Sequence, residues 1–273
     1  MSHAARLILV ATAGLTLAAC ATPRAGRDSL APDPWEKTNR SIYAFNRGVD
    51  KAVVTPATKA YRAVLPQAAQ RGIRNVFNLA TQPLSFVNAL LQGKPKQAMR
   101  TAGRFAINAT IGVGGLADHA TDMGVPDEPE DFGQTLAVWG MKSGPYVMLP
   151  VFGPSSLRDA LGFGLDQVAD PYQIELAKQT DFYAYYGIRG VSLLDTRSFL
   201  MDTADSLLRG SADEYATVRS AYLQLRENQI YDGNPPVDDE EVVPLGAEDD
   251  AAAEPAAAPA EPAVAEPKAE TPQ

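Results

Sequence analysis

Cys20 is the only cysteine in the chain, and it directly follows the apolar run from Leu7 to Ala19 that Arg6 introduces. A lone thiol there has no partner for a disulfide and is placed for covalent modification. Three cations, Lys96, Arg100 and Arg104, fall four residues apart, which lays them along one stripe of a helix. Such a stripe suits phosphate groups, and it equally suits a solvated face. Acid–base chemistry has few carriers. His3 leaves with the N-terminal segment, so the mature chain keeps only His119. The acids Asp118, Asp122, Asp127, Glu128, Glu130 and Asp131 surround it in a polar loop over residues 112–135. That loop lacks the alternating pattern of a calcium site and reads as solvated. Asp127 and Glu130 could in principle act as a hydrolytic pair, yet no nucleophile stands near them in sequence. One thiol and one histidine exclude cysteine-based and multi-histidine zinc sites. No metal site is expected.

The elements that must position these residues are helices. Ile73, Val76, Phe77, Ala80, Leu84, Val87 and Leu91 recur at steps of three and four, with Pro83 as a break or a fresh start. This predicts an apolar helical hairpin beside a second, cationic helix that starts at Pro95. The second helix ends in Ile111-Gly112-Val113-Gly114-Gly115, a flexible hinge or a simple turn. The apolar stripe fits a buried core. It also fits a helix lying in a membrane interface, with its basic stripe near phosphates. Before it, Asp33 is expected to cap a helix with Pro34 in its first turn and Ile42, Phe45, Val49 and Val53 on its apolar face. Pro56 starts another helix, which closes before Pro66. After it, Thr135–Trp139 and Tyr146–Leu149 read as two short strands. Gly153–Ser156 reads as a helix start. Residues 173–184 and 188–208 read as helices, with aromatic residues around 182–186 as packing or an interfacial belt. Asp213-Glu214 opens the last helix. Gly112-Val113-Gly114-Gly115 follows a helix rather than a strand, so it is no dinucleotide loop.

Charge divides the chain. Of its 33 acids and 24 bases, eleven acids and one base, Lys268, fall in residues 235–273, leaving 22 and 23 for residues 1–234. The body is near neutral and carries no basic footprint for nucleic acid. The Ala-, Pro- and Glu-rich end cannot bury enough apolar surface to order itself. The expected organisation is a signal peptide over 1–19, a lipidated tether over 20–32, a helical domain over 33–232 and a disordered acidic tail over 233–273. Leu17-Ala18-Ala19-Cys20 resembles the lipobox of bacterial lipoproteins, in which the cysteine is acylated and becomes the mature N-terminus. Two or more acyl chains anchor stably where one does not. No run long enough to span a membrane follows. Ala21, rather than Asp, implies export to the outer membrane under the enteric sorting rule.

Several short phrases follow one another along the chain: Asp33-Pro34-Trp35-Glu36, Tyr43-Ala44-Phe45-Asn46, Gln82-Pro83, Leu91-Gln92-Gly93 and Arg104-Phe105 with Asn108. The run from Ile111 to Gly115 with Asp118, the phrase from Asp131 to Leu136, Gly144 to Pro150, and Arg158-Asp159 continue the series. In this order they resemble the MlaA (VacJ) family of outer-membrane lipoproteins. The acidic tail departs from the pattern. The resemblance implies a mainly α, ring-like bundle of amphipathic helices with a small β-hairpin, monotopic in one leaflet. It implies an outer-membrane lipoprotein, anchored through Cys20 at the periplasmic face. An amphipathic channel would take phospholipid from the outer leaflet and pass it to a periplasmic carrier, with a porin trimer as membrane partner. Such transfer breaks no bond and calls for no cofactor. Phe45, Asn46, Lys96, Arg100, Arg104, Asn108, Gly112, Gly114 and Gly115 would line the passage or touch lipid. The alternative is a structural lipoprotein whose tail tethers the outer membrane to a basic periplasmic partner.

Overall fold

Short polar side chains and prolines set where the helices begin. In the computed structural model, which describes residues 32–236, Asp131 accepts from the Gln134 amide at 2.9 Å while Gln134 Oε1 accepts from the Asp131 amide at 2.7 Å. This reciprocal capping box satisfies two amides that a helix start otherwise leaves bare. It turns Phe132–Val138 into a helix. The strand expected at Thr135–Trp139 is therefore corrected. Its apolar residues carry strand propensity, but the Asp131 cap four residues before Thr135 decides the conformation. The hairpin instead pairs Tyr146–Leu149 with Gly153–Ser156, Tyr146 opposite Ser156. Gly153–Ser156 is thus a strand and not a helix start; the helix begins one residue later, with Ser156 as its cap.

The element order is α1 (Glu36–Val49), a π-helical turn (Asp50–Val54), α2 (Thr55–Val64), α3 (Gln67–Leu91), α4 (Pro95–Thr110) and the short α5 (His119–Asp122). Then come α6 (Phe132–Val138), β1 (Tyr146–Leu149), β2 (Gly153–Ser156), α7 (Leu157–Ala169), α8 (Pro171–Gln179), α9 (Phe182–Leu208) and α10 (Glu214–Ile230). Three further boundaries differ from expectation. Pro83 sits inside α3 without breaking it, so the hairpin is α3 against α4 rather than two halves of α3. Asp33 does not cap α1; it accepts from Asn39 Nδ2 at 2.8 Å and from the Tyr215 hydroxyl, which anchors the entry of the chain. The late helices break at Thr180 and Asp181, where the Asp181 carboxylate caps α9.

The described elements pack in a closed circuit: α1 on β1, β2 on α7, α7 on α6, α6 on α3, α3 on α9 and α9 on α2, which the π-helical turn joins back to α1. α10 packs on α6, β2 and α9. A small apolar cluster of Tyr146, Met148 and Tyr215, with Ile42, Tyr43, Tyr222 and Leu223 against it, sits where α1, the hairpin and α10 meet. The Tyr146 ring meets those of Tyr215 and Tyr222 edge-on, each at 6.1 Å between centroids.

Burial elsewhere is inverted. Among the described residues, eight apolar side chains are buried against 21 polar or charged ones. The usual order is the reverse. The buried stripe of α3 is Gln82, Ser85, Asn88 and Ala89, and that of α4 is Gln97, Ala98, Thr101, Arg104 and Asn108. Val87, Leu90 and Leu91 on α3, and Met99 and Phe105 on α4, are exposed. Of the apolar stripe read from the sequence, Val87 and Leu91 face outward, and Ile73, Val76, Phe77, Ala80 and Leu84 are half-buried. None of the helices among the described residues is long and apolar enough to cross a membrane.

α6 and α7 cross at glycines. A Cβ on Gly162 would lie 2.4 Å from the Gly133 nitrogen and 2.6 Å from its Cα. Gly162→Ala therefore forces the helices apart and should lower stability by about 1–3 kcal/mol in urea titrations. Gly164→Ala, whose Cβ meets nothing within 4 Å, should be neutral or stabilising by up to about 1 kcal/mol.

Candidate functional site

The crossing at Gly133 and Gly162 brings Asp131 and Asp159 close enough for one guanidinium to hold both. Arg226, from α10, donates to Asp131 through Nη1 at 2.6 Å and Nη2 at 2.7 Å, and to Asp159 Oδ1 through Nη2 at 3.0 Å. A Cβ on Gly133 would stand 2.5 Å from Arg226 Nη2, so glycine is required for this reach. Asp159 also accepts from the Tyr222 hydroxyl at 2.6 Å, Ser156 Oγ at 2.8 Å and Arg158 Nε at 3.0 Å. Burial pushes the Asp159 carboxyl up, but Arg226, the Tyr222 hydroxyl and Arg158 outweigh it and hold the carboxyl at about 2. The Tyr222 phenol moves the other way, raised by burial and by the neighbouring carboxylate.

Asp159, Tyr222 and Arg226 form a wall shared by two cavities. The first, about 270 Å³, has Leu149, Phe152, Phe163 and Leu225 on its apolar side and Asp131 and Asp166 on its polar side. The second, about 320 Å³, opens toward Lys142, Arg158 and Glu227. Charge differs across the wall. The first cavity has three carboxylates to one guanidinium, and the second has three cations to two carboxylates. Both are amphipathic spaces of the kind that receive a polar group on an apolar stem.

The residues singled out from the sequence divide between surface and framework. Phe45 is 55 % exposed on α1. Asn46 is bound to the backbone of the hairpin. Its Nδ2 donates to the Leu149 carbonyl at 2.9 Å and its Oδ1 accepts from the Val151 amide at 2.8 Å, holding the hairpin turn where Val151 takes a positive φ of 68°. Asn39, two turns earlier, brackets β1 through the Tyr146 carbonyl and the Met148 amide. Lys96 and Arg100 are exposed, Arg100 paired with Glu128 at 2.7 Å. Arg104 corrects the single-stripe expectation, because it is only 2 % exposed. Each step of four residues advances about 40° around a helix, so two steps carry Arg104 from the surface into the interior. There it pairs with Asp118 at 2.9 Å and Asp127 at 3.4 Å. Asn108 joins the same cluster, donating to Asp118 at 2.8 Å and accepting from the Ala120 amide. The acidic loop is thus folded around Arg104 rather than merely solvated.

The glycine run is a turn stitched by its own backbone. Gly112, Gly114 and Gly115 amides donate to the carbonyls of Ile107, Ala109 and Asn108. A Cβ on Gly112 would clash with the Asn108 and Ala117 carbonyls, and one on Gly115 with Leu79; only Gly114 stands in open space. Cys20 lies outside the described residues.

Sequence reasoning passed over Arg226 and Asp166. A signal existed: Tyr222 and Arg226 are four apart on α10, one helical face that meets the capping carboxylate Asp131.

Comparison with known proteins bears on the whole domain. The family model described as "MlaA lipoprotein" matches residues 31–229. The intermembrane phospholipid transport system lipoprotein MlaA of Escherichia coli K12 is 37% identical over 224 residues, spanning 80% of this chain and 86% of that protein. The protein of the same name from Haemophilus influenzae is 31% identical over 211 residues, 74% of this chain and 80% of its own length. A solved structure reported under "Structural basis for maintenance of bacterial outer membrane lipid asymmetry" superposes with a TM-score of 0.63 at 37% identity. It covers 74% of this chain and 99% of that one.

Asp159 makes the wall's stability depend on pH. Its folded carboxyl sits at about 2, below the ordinary value near 3.9, so its contribution is complete above about pH 5 and is lost as pH falls toward 2. Asp159→Asn should remove about 2–3 kcal/mol of that acid-sensitive stability, seen as a flatter dependence of urea midpoint on pH between about 5 and 2.

Proposed function

This chain belongs to the MlaA lipoprotein family, and from that premise we propose that it is an outer-membrane lipoprotein that moves phospholipid out of the outer leaflet, preserving lipid asymmetry. The inverted burial carries this reading. Where a water-soluble domain hides its large apolar side chains, this one presents Val87, Leu90, Met99 and Phe105 outward and keeps amides, carboxylates and guanidinia inside. Apolar surface turned outward is stable in acyl chains, and a polar interior lowers the cost of passing a charged headgroup. With no spanning helix among the described residues, the helices lie in one leaflet, as monotopic elements do.

In this reading the lipid moves downhill. The headgroup follows the polar interior while the acyl chains stay against apolar walls. The protein lowers the barrier by replacing hydration of the phosphate and amine with fixed hydrogen-bonding groups, and no bond is made or broken. Phe45 meets lipid at the outer surface, and Lys96 and Arg100 draw phosphate toward the α4 face. Asn46, Arg104, Asn108, Gly112 and Gly115 hold the walls in place, and Gly114 is where the α4 turn has room to move. Cys20 carries the acyl anchor, a porin trimer holds the body in the membrane, and a periplasmic carrier accepts the lipid.

Deletion of the protein should raise phospholipid in the outer leaflet, measured by a membrane-impermeant amine label on intact cells. Unchanged labelling would overturn the transport reading. Cys20→Ser should abolish incorporation of a fatty-acid label and reproduce the deletion phenotype. Wild-type labelling of that variant would remove the anchor from the mechanism.

A further inference from the structure

We infer that the cavity between the hairpin, α7 and α10 receives the ammonium end of a zwitterionic phospholipid headgroup, with Asp166 as its counter-ion. The inference rests on the transport reading and adds a headgroup class to it. Asp166 lines the cavity and is only 8 % exposed. Its neighbours Asp131 and Asp159 are each held by a guanidinium. Asp166 has only neutral donors, Asn88 Nδ2 at 3.4 Å and the Phe132 amide at 3.0 Å, and no cation within ion-pair distance among the described residues. A buried carboxylate without a cation is costly, and an entering cation would relieve that cost. Burial, reinforced by the charge of Asp131, raises the Asp166 carboxyl against the opposing pull of the Phe132 amide, Asn88 and the more distant charge of Arg226.

The rest of the cavity selects an amine attached to something apolar. Phe152 and Phe163 pack with ring centroids 5.1 Å apart at its lip, and Leu149 and Leu225 complete that side. Ring faces attract an ammonium and the apolar side accepts the stem behind it. A headgroup with phosphate alone would meet three carboxylates against one guanidinium and be repelled. A primary ammonium can donate to Asp166, and a trimethylammonium cannot. The order expected is therefore phosphatidylethanolamine, then phosphatidylcholine, then phosphatidylglycerol.

The test uses the full-length lipidated protein in detergent, incubated with vesicles of equal parts of these three lipids with identical acyl chains. Lipid retained on the repurified protein is counted by mass spectrometry. Ethanolamine lipid should exceed glycerol lipid by about tenfold, the value of one charge-assisted hydrogen bond. Asp166→Asn, which can still accept from the Phe132 amide, should bring the ratio to within about twofold of the input. Leu225→Lys, an exposed position at the rim that would place a cation inside, should do the same and covers the case in which Asp166→Asn does not fold. Equal retention of all three lipids by the wild type overturns this inference and leaves transport standing. Enrichment that survives both variants overturns its assignment to this cavity. Retention of no lipid at all undercuts the transport reading and this inference with it. Displacement of the ethanolamine lipid by millimolar free ethanolamine would assign the site to a small amine instead of a lipid.

Discussion

Among the described residues buried polar groups outnumber buried apolar ones, so the helices are held chiefly by polar contacts rather than by an apolar core. The partners are found across elements. Asp195 of α9 takes Tyr61 of α2 at 3.0 Å and Arg74 of α3 at 3.2 Å. Glu130 takes Gln92, Gln97 and Lys94 from the α3–α4 hairpin, at 2.8, 2.7 and 3.0 Å. Asp50 takes Arg197 at 2.9 Å, tying the π-helical turn to α9. Each carboxylate serves as a rivet where two or three elements meet. Breaking one leaves a buried charge unpaired, which costs far more than the intact pair gains over an apolar substitute.

This way of building has a consequence for where the protein can live. Ion pairs and amide bonds fix geometry without needing a thick oily centre, so the apolar residues of α3 and α4 are left for the outside. In water that surface would drive association; against acyl chains it is at home. The same arrangement leaves the interior polar, with two cavities on either side of the Asp159–Tyr222–Arg226 wall. Outward apolar side chains and a polar interior are thus two sides of one construction.

Much of the fold was legible from local chemistry. Pro56 and Pro95 stand at helix starts, Asp213 caps α10, and the chain bends at the glycines after α4. The reading failed where a cap outranked propensity, as at Asp131 with Gln134, and where a strand ran through Gly153-Pro154 on the partner's hydrogen bonds. The candidate site was less legible. Lys96, Arg100 and Arg104 look alike in a stripe, yet helical drift and the acids Asp118 and Asp127 bury the last. Asn46 and Asn108 each bond backbone groups of another segment, contacts that no local pattern announces.

What the sequence determined by itself was the set of local commitments: a cysteine ending an apolar run, helices with one apolar stripe each, caps, breaks, and an ordered set of short phrases that resembles one family. These follow from chain-local physics, in which a residue's neighbours in sequence are its neighbours in space. The direction each stripe faces belonged to the tertiary structure alone. Periodicity says that a helix has two unlike sides but not which side its partners occupy. That is settled only when Arg226 reaches across from α10 to Asp131 and Asp159, and Glu130 from the loop to the α3–α4 hairpin. Those long-range carboxylate and guanidinium contacts turn the polar sides inward and the apolar sides out.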